Sequence, residues 1–163
     1  MGLAFIGLGS NLGNGRKNLL KAWQQLKQSN RITLLTLSSP YLTEPVGMES
    51  DFWFTNGVGV LETKLSPLEL LDLLLQTEKE MGRDRASGLD RIIDLDLLYY
   101  DDLVISSPEL TLPHPEIANR MFVLAPMNEV APDHLHPVLQ KTTRHMLKQL
   151  PKGEVVKKEV WQK

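Results

Sequence analysis

Two aspartates set two positions apart inside an apolar run are the residues with the clearest chemical meaning. Arg91-Ile92-Ile93-Asp94-Leu95-Asp96 opens the run 92–100, whose length and β-branched start predict a strand, so side chains two apart project from one face. Asp94 and Asp96 then look into the same small volume. Like charges that close raise each other's pKa or call for a cation, and hard carboxylate oxygens suit Mg²⁺. An isolated D-x-D is commonly a pair of solvated acids. Here Pro113-His114 and Asn119-Arg120-Met121-Phe122 follow it, and Arg83, Arg85 and Arg91 cluster in the glycine-containing segment 82–91 that leads into it. Arginines on a closing segment above a metal-binding pair suit phosphoryl transfer: guanidinium groups neutralise the moving phosphate and closure excludes water. The plainer alternative is a solvated loop whose arginines pair with Asp84 and Asp90, though exposed pairs contribute only about 0 to 1 kcal/mol.

A second group suits a planar ring. Phe54 and Phe122 could stack a heterocycle, and Asn56, two residues beyond Phe54, shares its strand face and could read a hydrogen-bonding edge. Taken singly, each phenylalanine is more often core than ligand wall. Other motifs lead elsewhere. In Gly7-Leu8-Gly9-Ser10-Asn11-Leu12-Gly13 the last glycine falls one place late for a dinucleotide fingerprint, so its glycines read as a tight strand-to-helix turn, with Ser10 and Asn11 as polar tips at a strand end. No G-x-x-x-x-G-K-[ST] occurs, so any ATP would be held by side chains and metal. His134 and His136 sit in a proline-rich stretch and read as structural or surface groups.

Positioning these residues requires a sheet. Strands are predicted at 3–8, 31–37, 54–63 and along the Asp94/Asp96 run, with helices over 14–28 and from the capping box Ser66-Pro67-Leu68-Glu69 to Gly82. The order β-α-β-β-α-β predicts an α/β (α+β) fold with a ferredoxin-like sheet and both helices on one face. Residues 39–53 read as a long irregular loop of functional character. Short helices are expected over 115–130 and a further one over 140–150. The expectation is a single domain, 1–163, with 151–163 as a flexible tail.

Composition narrows the classes. The chain has 163 residues, 42% hydrophobic content, no cysteine and a formal charge of −2. Absence of thiols excludes disulfides and zinc–thiolate sites, and the charge balance argues against a nucleic-acid partner. No run approaches membrane-spanning length, so the expectation is a cytoplasmic monomer with no membrane partner.

Taken in order, Gly9-Ser10-Asn11-Leu12-Gly13, Tyr41-x-Thr43-x-Pro45-x-Gly47, Phe54-x-Asn56, Glu78 before Gly82-Arg83, Arg91-x-Ile93-Asp94-Leu95-Asp96, Leu112-Pro113-His114 and Arg120-x-Phe122 resemble the 6-hydroxymethyl-7,8-dihydropterin pyrophosphokinase family. The resemblance covers about residues 3–132. It implies a ferredoxin-like fold and transfer of pyrophosphate from ATP to the pterin alcohol, with release of AMP, in folate biosynthesis. It makes Asp94 and Asp96 ligands of two Mg²⁺ ions, with Arg83 and Arg91 on the catalytic lid. Phe54, Asn56, Phe122, Thr43, Pro45 and Val46 fall on the pterin side. Glu78, Arg85, Arg91, Leu97, Thr111, His114 and Arg120 fall on the ATP side. The lid departs from the family's frequent pattern, with Ser87-Gly88-Leu89-Asp90 where a tryptophan often stands. Two rival classes remain at the level of sequence. A different two-metal nucleotidyl transferase would not need the aromatic pair, and a noncatalytic ligand-binding module would not need the paired acids.

Overall fold

The computed structural model describes residues 1–45, 52–83 and 90–162. Among the described residues, six strands form one antiparallel sheet, with β1 (Gly2–Ser10) at its centre between β5 (Asp94–Tyr100) and β4 (Phe54–Thr63). The far edge of β4 is shared. β2 (Ile32–Leu37) pairs with its C-terminal half and β3 (Tyr41–Thr43) with its start, and β3 in turn pairs with β8 (Val156–Lys158). A two-stranded ribbon, β6 (Ile105–Ser106) with β7 (Thr111–Leu112), stands apart.

Both faces of the sheet are covered, which explains why β1 reads as an unbroken apolar run. Ala4, Ile6 and Leu8 face α1 (Gly15–Leu26) and α2 (Pro67–Glu80), where Leu19, Trp23, Leu26, Leu70 and Leu74 close one core. Phe5 faces the other side, where Val58, Val60, Leu98 and Tyr99 meet Val123, Leu124 and Met127 of α3 (Met121–Val130) and Met146 of α4 (Thr143–Gln149). α1 is capped by Asn14, whose Oδ1 accepts from Lys17 N at 3.1 Å. α2 has the full capping box: Glu69 N donates to Ser66 Oγ and Ser66 N to Glu69 Oε1. Gly82, at φ +88°, takes the left-handed turn that ends it, where a side chain would be strained.

Two segments differ from expectation and a third bears it out. The stretch 39–53 contains β3, whose three residues between Pro40 and Pro45 are too few to show a period; only pairing with β4 makes them a strand. The stretch from 151, expected as a tail, contributes β8 to the sheet edge. The short helices expected over 115–130 are there, a 3₁₀ turn, Ile117–Asn119, followed by α3, and with α4 they build a second layer. Among the described residues no helix is long and apolar enough to cross a membrane.

Gly59 marks a close helix–sheet approach, because a Cβ there would run into the indole of Trp23. Gly59→Ala is therefore expected to destabilise the fold by about 1–3 kcal/mol through overpacking, read as a lower urea midpoint with an unchanged slope.

Candidate active site

Strand register assembles the site. Asp94 lies opposite Gly9, and Gly9 opposite Asn56; one step along, Asp96 lies opposite Gly7, and Gly7 opposite Val58. Directly paired residues project from the same face, so both carboxylates share a face with Asn56 across a row of glycines. The missing side chains leave a hollow of about 290 Å³, lined by Gly7, Gly9, Thr43, Phe54, Asn56, Arg91, Asp94, Asp96, Arg120 and Phe122, among others. A Cβ on Gly9 would lie 2.8 Å from Asn56 Oδ1, so the floor has no room for one. Acids and amide stand two strands apart, about 10 Å at ordinary strand spacing.

The acidic half is densely charged. Arg83 Nη1 donates to Glu78 Oε2 at 2.9 Å and to Asp94 Oδ1 at 2.8 Å, while Arg91 Nη2 donates to Asp94 Oδ2 at 3.3 Å. Glu78 is buried on α2 and also accepts from Leu95 N at 2.7 Å, tying that helix to the strand that carries the acids. Burial pushes the Asp96 carboxyl up to about 7, with the charges of Asp94 and Glu78 adding to the rise and Arg120 and Arg91 opposing it. His114 is held below the usual histidine range by burial and by the charge of Arg120, against the opposite pull of Glu116 and Asp94. Its Nδ1 accepts from Glu116 N at 3.2 Å, which fixes the ring's orientation.

In the apolar half, Asn56 Nδ2 donates to Thr43 Oγ1 at 2.7 Å, fixing the amide. The Arg91 guanidinium lies over the Phe54 ring, 4.9 Å from its centroid, and that of Arg120 over Phe122 at 5.5 Å. Each arginine therefore links an aromatic wall to the carboxylates.

Eight of the residues singled out from sequence line this one cavity: Thr43, Phe54, Asn56, Arg91, Asp94, Asp96, Arg120 and Phe122. Arg83 and Glu78 stand behind Asp94, so Glu78 meets an arginine and a backbone amide. The Leu97 side chain is buried in the core beneath α1 and α2, on the face away from the carboxylates. Thr111 is exposed on β7 and, like Pro45, is not part of the lining. Val46 and Arg85 lie outside the described residues, as does most of the proposed lid. His134 and His136 pack against Tyr99, and His136 Nδ1 accepts from Val138 N and Leu139 N, a structural role.

The sequence left the role of Asn11 open. Its Oδ1 accepts from Arg91 N at 2.7 Å, its Nδ2 donates to Asp90 Oδ1 at 2.7 Å, and its backbone N donates to Arg91 O at 3.0 Å. The signal was a polar residue at the end of a glycine-rich strand; its partner, some eighty positions on, was not visible locally.

The sequence profile of the 7,8-dihydro-6-hydroxymethylpterin-pyrophosphokinase (HPPK) family matches residues 5–132. A 2-amino-4-hydroxy-6-hydroxymethyldihydropteridine pyrophosphokinase from Haemophilus influenzae is 38% identical over 155 residues, covering 94% of this chain and 96% of that one. A Porphyromonas gingivalis protein of the same name is 42% identical over 142 residues, covering 84% and 95%. The folic acid synthesis protein of Dictyostelium discoideum is 34% identical over 152 residues, and this chain spans 23% of its length. Among solved structures, wild-type HPPK-DHPS from Plasmodium falciparum superposes with a TM-score of 0.72 at 16% identity, over 91% of this chain and 41% of the longer one, a likeness of fold. The chain belongs to the 7,8-dihydro-6-hydroxymethylpterin-pyrophosphokinase family.

Asn11→Ala is expected to cost about 2 kcal/mol of stability, roughly 1 kcal/mol for each side-chain hydrogen bond lost. Turnover should fall by about an order of magnitude more than unfolding explains, because Arg91 loses its anchor. Denaturant titration and steady-state rates on the same preparation check both.

Proposed function

We propose that the protein transfers the pyrophosphoryl group of ATP to the hydroxymethyl oxygen of 6-hydroxymethyl-7,8-dihydropterin, yielding the pterin diphosphate and AMP. One observation carries the reading: a carboxylate–arginine cluster and an aromatic, amide-bearing wall face each other across a single cavity in a chain of this family. The pterin occupies the side of Phe54, Phe122, Asn56 and Thr43, with Pro45 at its margin; Val46, assigned to the pterin by the family resemblance, lies outside the described residues. The nucleotide occupies the side of Asp94, Asp96, Arg91, Arg120 and His114, with Thr111 outward; Arg85, assigned to ATP by the family resemblance, lies outside the described residues. Glu78 supports Arg83 from behind. Leu97 holds the strand in register through the core. The strand order β5-β1-β4-β2 and the placement of α1 and α2 on one face support a ferredoxin-like description of the fold.

The donor set fits Mg²⁺. Among the described residues no three or more His, Cys, Asp and Glu side chains converge, so the protein offers the Asp94 and Asp96 carboxylates, and phosphate and water oxygens complete a hard coordination sphere. Two bound Mg²⁺ ions would supply charge stabilisation to the phosphates as the β-phosphorus changes partners. The rest falls to side chains. A cation taking the Asp94 oxygens would release Arg83 and Arg91 to pair with phosphate oxygens, a suitable task for planar, multi-donor guanidinium groups. Asn56, fixed by Thr43, orients the heterocycle's polar edge, and the phenylalanine walls exclude water. The hydroxymethyl oxygen then bonds to the β-phosphorus, the bond from that phosphorus to the α,β-bridging oxygen breaks, AMP departs with that electron pair and the hydroxyl proton is lost to solvent.

Incubation with ATP, Mg²⁺ and the pterin alcohol should produce AMP and pterin diphosphate in equal amounts. Formation of ADP, or hydrolysis that ignores the pterin, would contradict the proposal. Phe122→Ala should weaken pterin binding by about tenfold, in line with roughly 0.5–1.5 kcal/mol for a lost ring pair, while ATP affinity moves less. Calorimetric titration with each ligand separates the two effects.

A further inference from the structure

The last strand lies beyond residues 5–132, the span matched by the family profile, yet it is the outer neighbour of the strand that carries Thr43. β3 has only three residues between prolines, and on its inner side it pairs with just Phe54, Thr55 and Asn56. So short a segment has little hold of its own on the sheet. β8 supplies the rest: Tyr41 pairs with Lys158, Leu42 with Lys157 and Thr43 with Val156.

The ladder is fastened at both ends. Glu159 N donates to Pro40 O at 2.8 Å, and Glu44 N donates to Val155 O at 3.4 Å. In return Val155 N donates to Glu44 Oε1 at 3.1 Å, so the side chain of a cavity-lining residue is tied to the tail. Further anchors join the tail to the body of the protein. Trp161 Nε1 donates to Ser38 O at 3.1 Å, Arg16 Nη1 to Val160 O at 3.0 Å, and Lys158 Nζ lies 3.7 Å from Glu129 Oε1, which also accepts from Tyr41 Oη. The Trp161 ring packs against the α1–α2 core. Apart from the Arg16 bond and the packing of the Trp161 ring, these contacts converge on residues 38–44, directly or through Glu129, and leave the acidic half of the cavity untouched.

We propose that residues 155–159 are a positioning strand for the ring half of the cavity. By clamping β3 from outside, they set Thr43 and Glu44 at the separation from Asn56 and Phe54 that admits a planar heterocycle. Through Thr43 Oγ1 they also fix the Asn56 amide in the orientation that reads its edge. The proposal rests on the assignment of that half to the pterin. Among the described residues the tail lines none of the acidic half of the cavity, so its effect is confined to one of the two substrates.

Lys157 provides a clean test in the full-length chain. The bonded pairs Pro40/Glu159 and Glu44/Val155 bracket Leu42/Lys157, which by antiparallel alternation is the intervening bonded pair. Lys157→Pro removes that donor and breaks the ladder at its middle. The expected result is a pterin KM and dissociation constant raised by about tenfold or more, with ATP-analogue affinity and kcat at saturating pterin within about twofold. General loosening of the protein would not produce that split. Unchanged pterin affinity in the folded variant, or an equal loss for both ligands, overturns the proposal. If Lys157→Pro does not fold, Glu44→Ala and Glu44→Gln decide: the alanine should raise the pterin KM and the glutamine, which keeps an acceptor for Val155 N, should restore it. Equal behaviour of the two also overturns it. Wild-type protein that binds no pterin would instead sink the functional reading itself.

Discussion

Everything in the site answers to one electrostatic problem, the pairing of Asp94 with Asp96 on one face at one end of the central sheet, with Glu78 behind them across Arg83. Burial, more than any neighbour, pushes Asp96 up to about 7, and the charges of Asp94 and, less, Glu78 add to the rise. Arg83 and Arg91 take both oxygens of Asp94, and Arg120 adds its charge to theirs beside Asp96. Without a polyanion the arginines hold the acids. In the proposed reaction the same groups would exchange partners with a metal-bound polyanion at little cost, because each charge would leave one opposite charge for another. Removing a single member would leave a desolvated charge uncompensated, the costly case for a buried pair.

The sheet sets that cluster across one cavity from an aromatic, amide-bearing wall. Gly7 and Gly9 leave bare backbone between the strand of acids and the strand of Asn56, and the spacing of strands sets the distance between them. The same strands bury Ile6, Leu8, Leu95 and Leu97 on the reverse face beneath α1 and α2. Alternation therefore does two jobs with one backbone: odd and even positions divide between cavity and core. α2 then serves both, presenting Leu70 and Leu74 to the core and Glu78 to Arg83 and Leu95 N.

Much of this could be read from the sequence, for identifiable reasons. Asp94 and Asp96 were recognisable because a two-residue period puts them on one face, and Phe54 with Asn56 for the same reason. The α2 boundaries followed from Ser66, Pro67, Glu69 and Gly82, whose effects are local. What was hidden depends on distant partners. Tyr41-Leu42-Thr43 has no strand signal without β4 and β8, and Asn11 is unremarkable without Arg91 beside it. Leu97 illustrates the converse: family resemblance placed it by its neighbours, whereas the pleat turns its side chain into the core. The short helices α3 and α4 were legible, but the layer they build was not, because it depends on packing against Phe5, Val58 and Tyr99 far along the chain.

The central claim is that Asp94 and Asp96 face each other in order to hold a cation between protein and nucleotide. Calorimetric titration of a nonhydrolysable ATP analogue, with Mg²⁺ and with a chelator, into wild type and Asp96→Asn tests it most directly. The account predicts that Mg²⁺ strengthens binding to wild type by about two orders of magnitude, several kcal/mol of charge stabilisation being within reach of a bound metal, and that Asp96→Asn abolishes most of the gain. An equal Mg²⁺ dependence in the two proteins would contradict it.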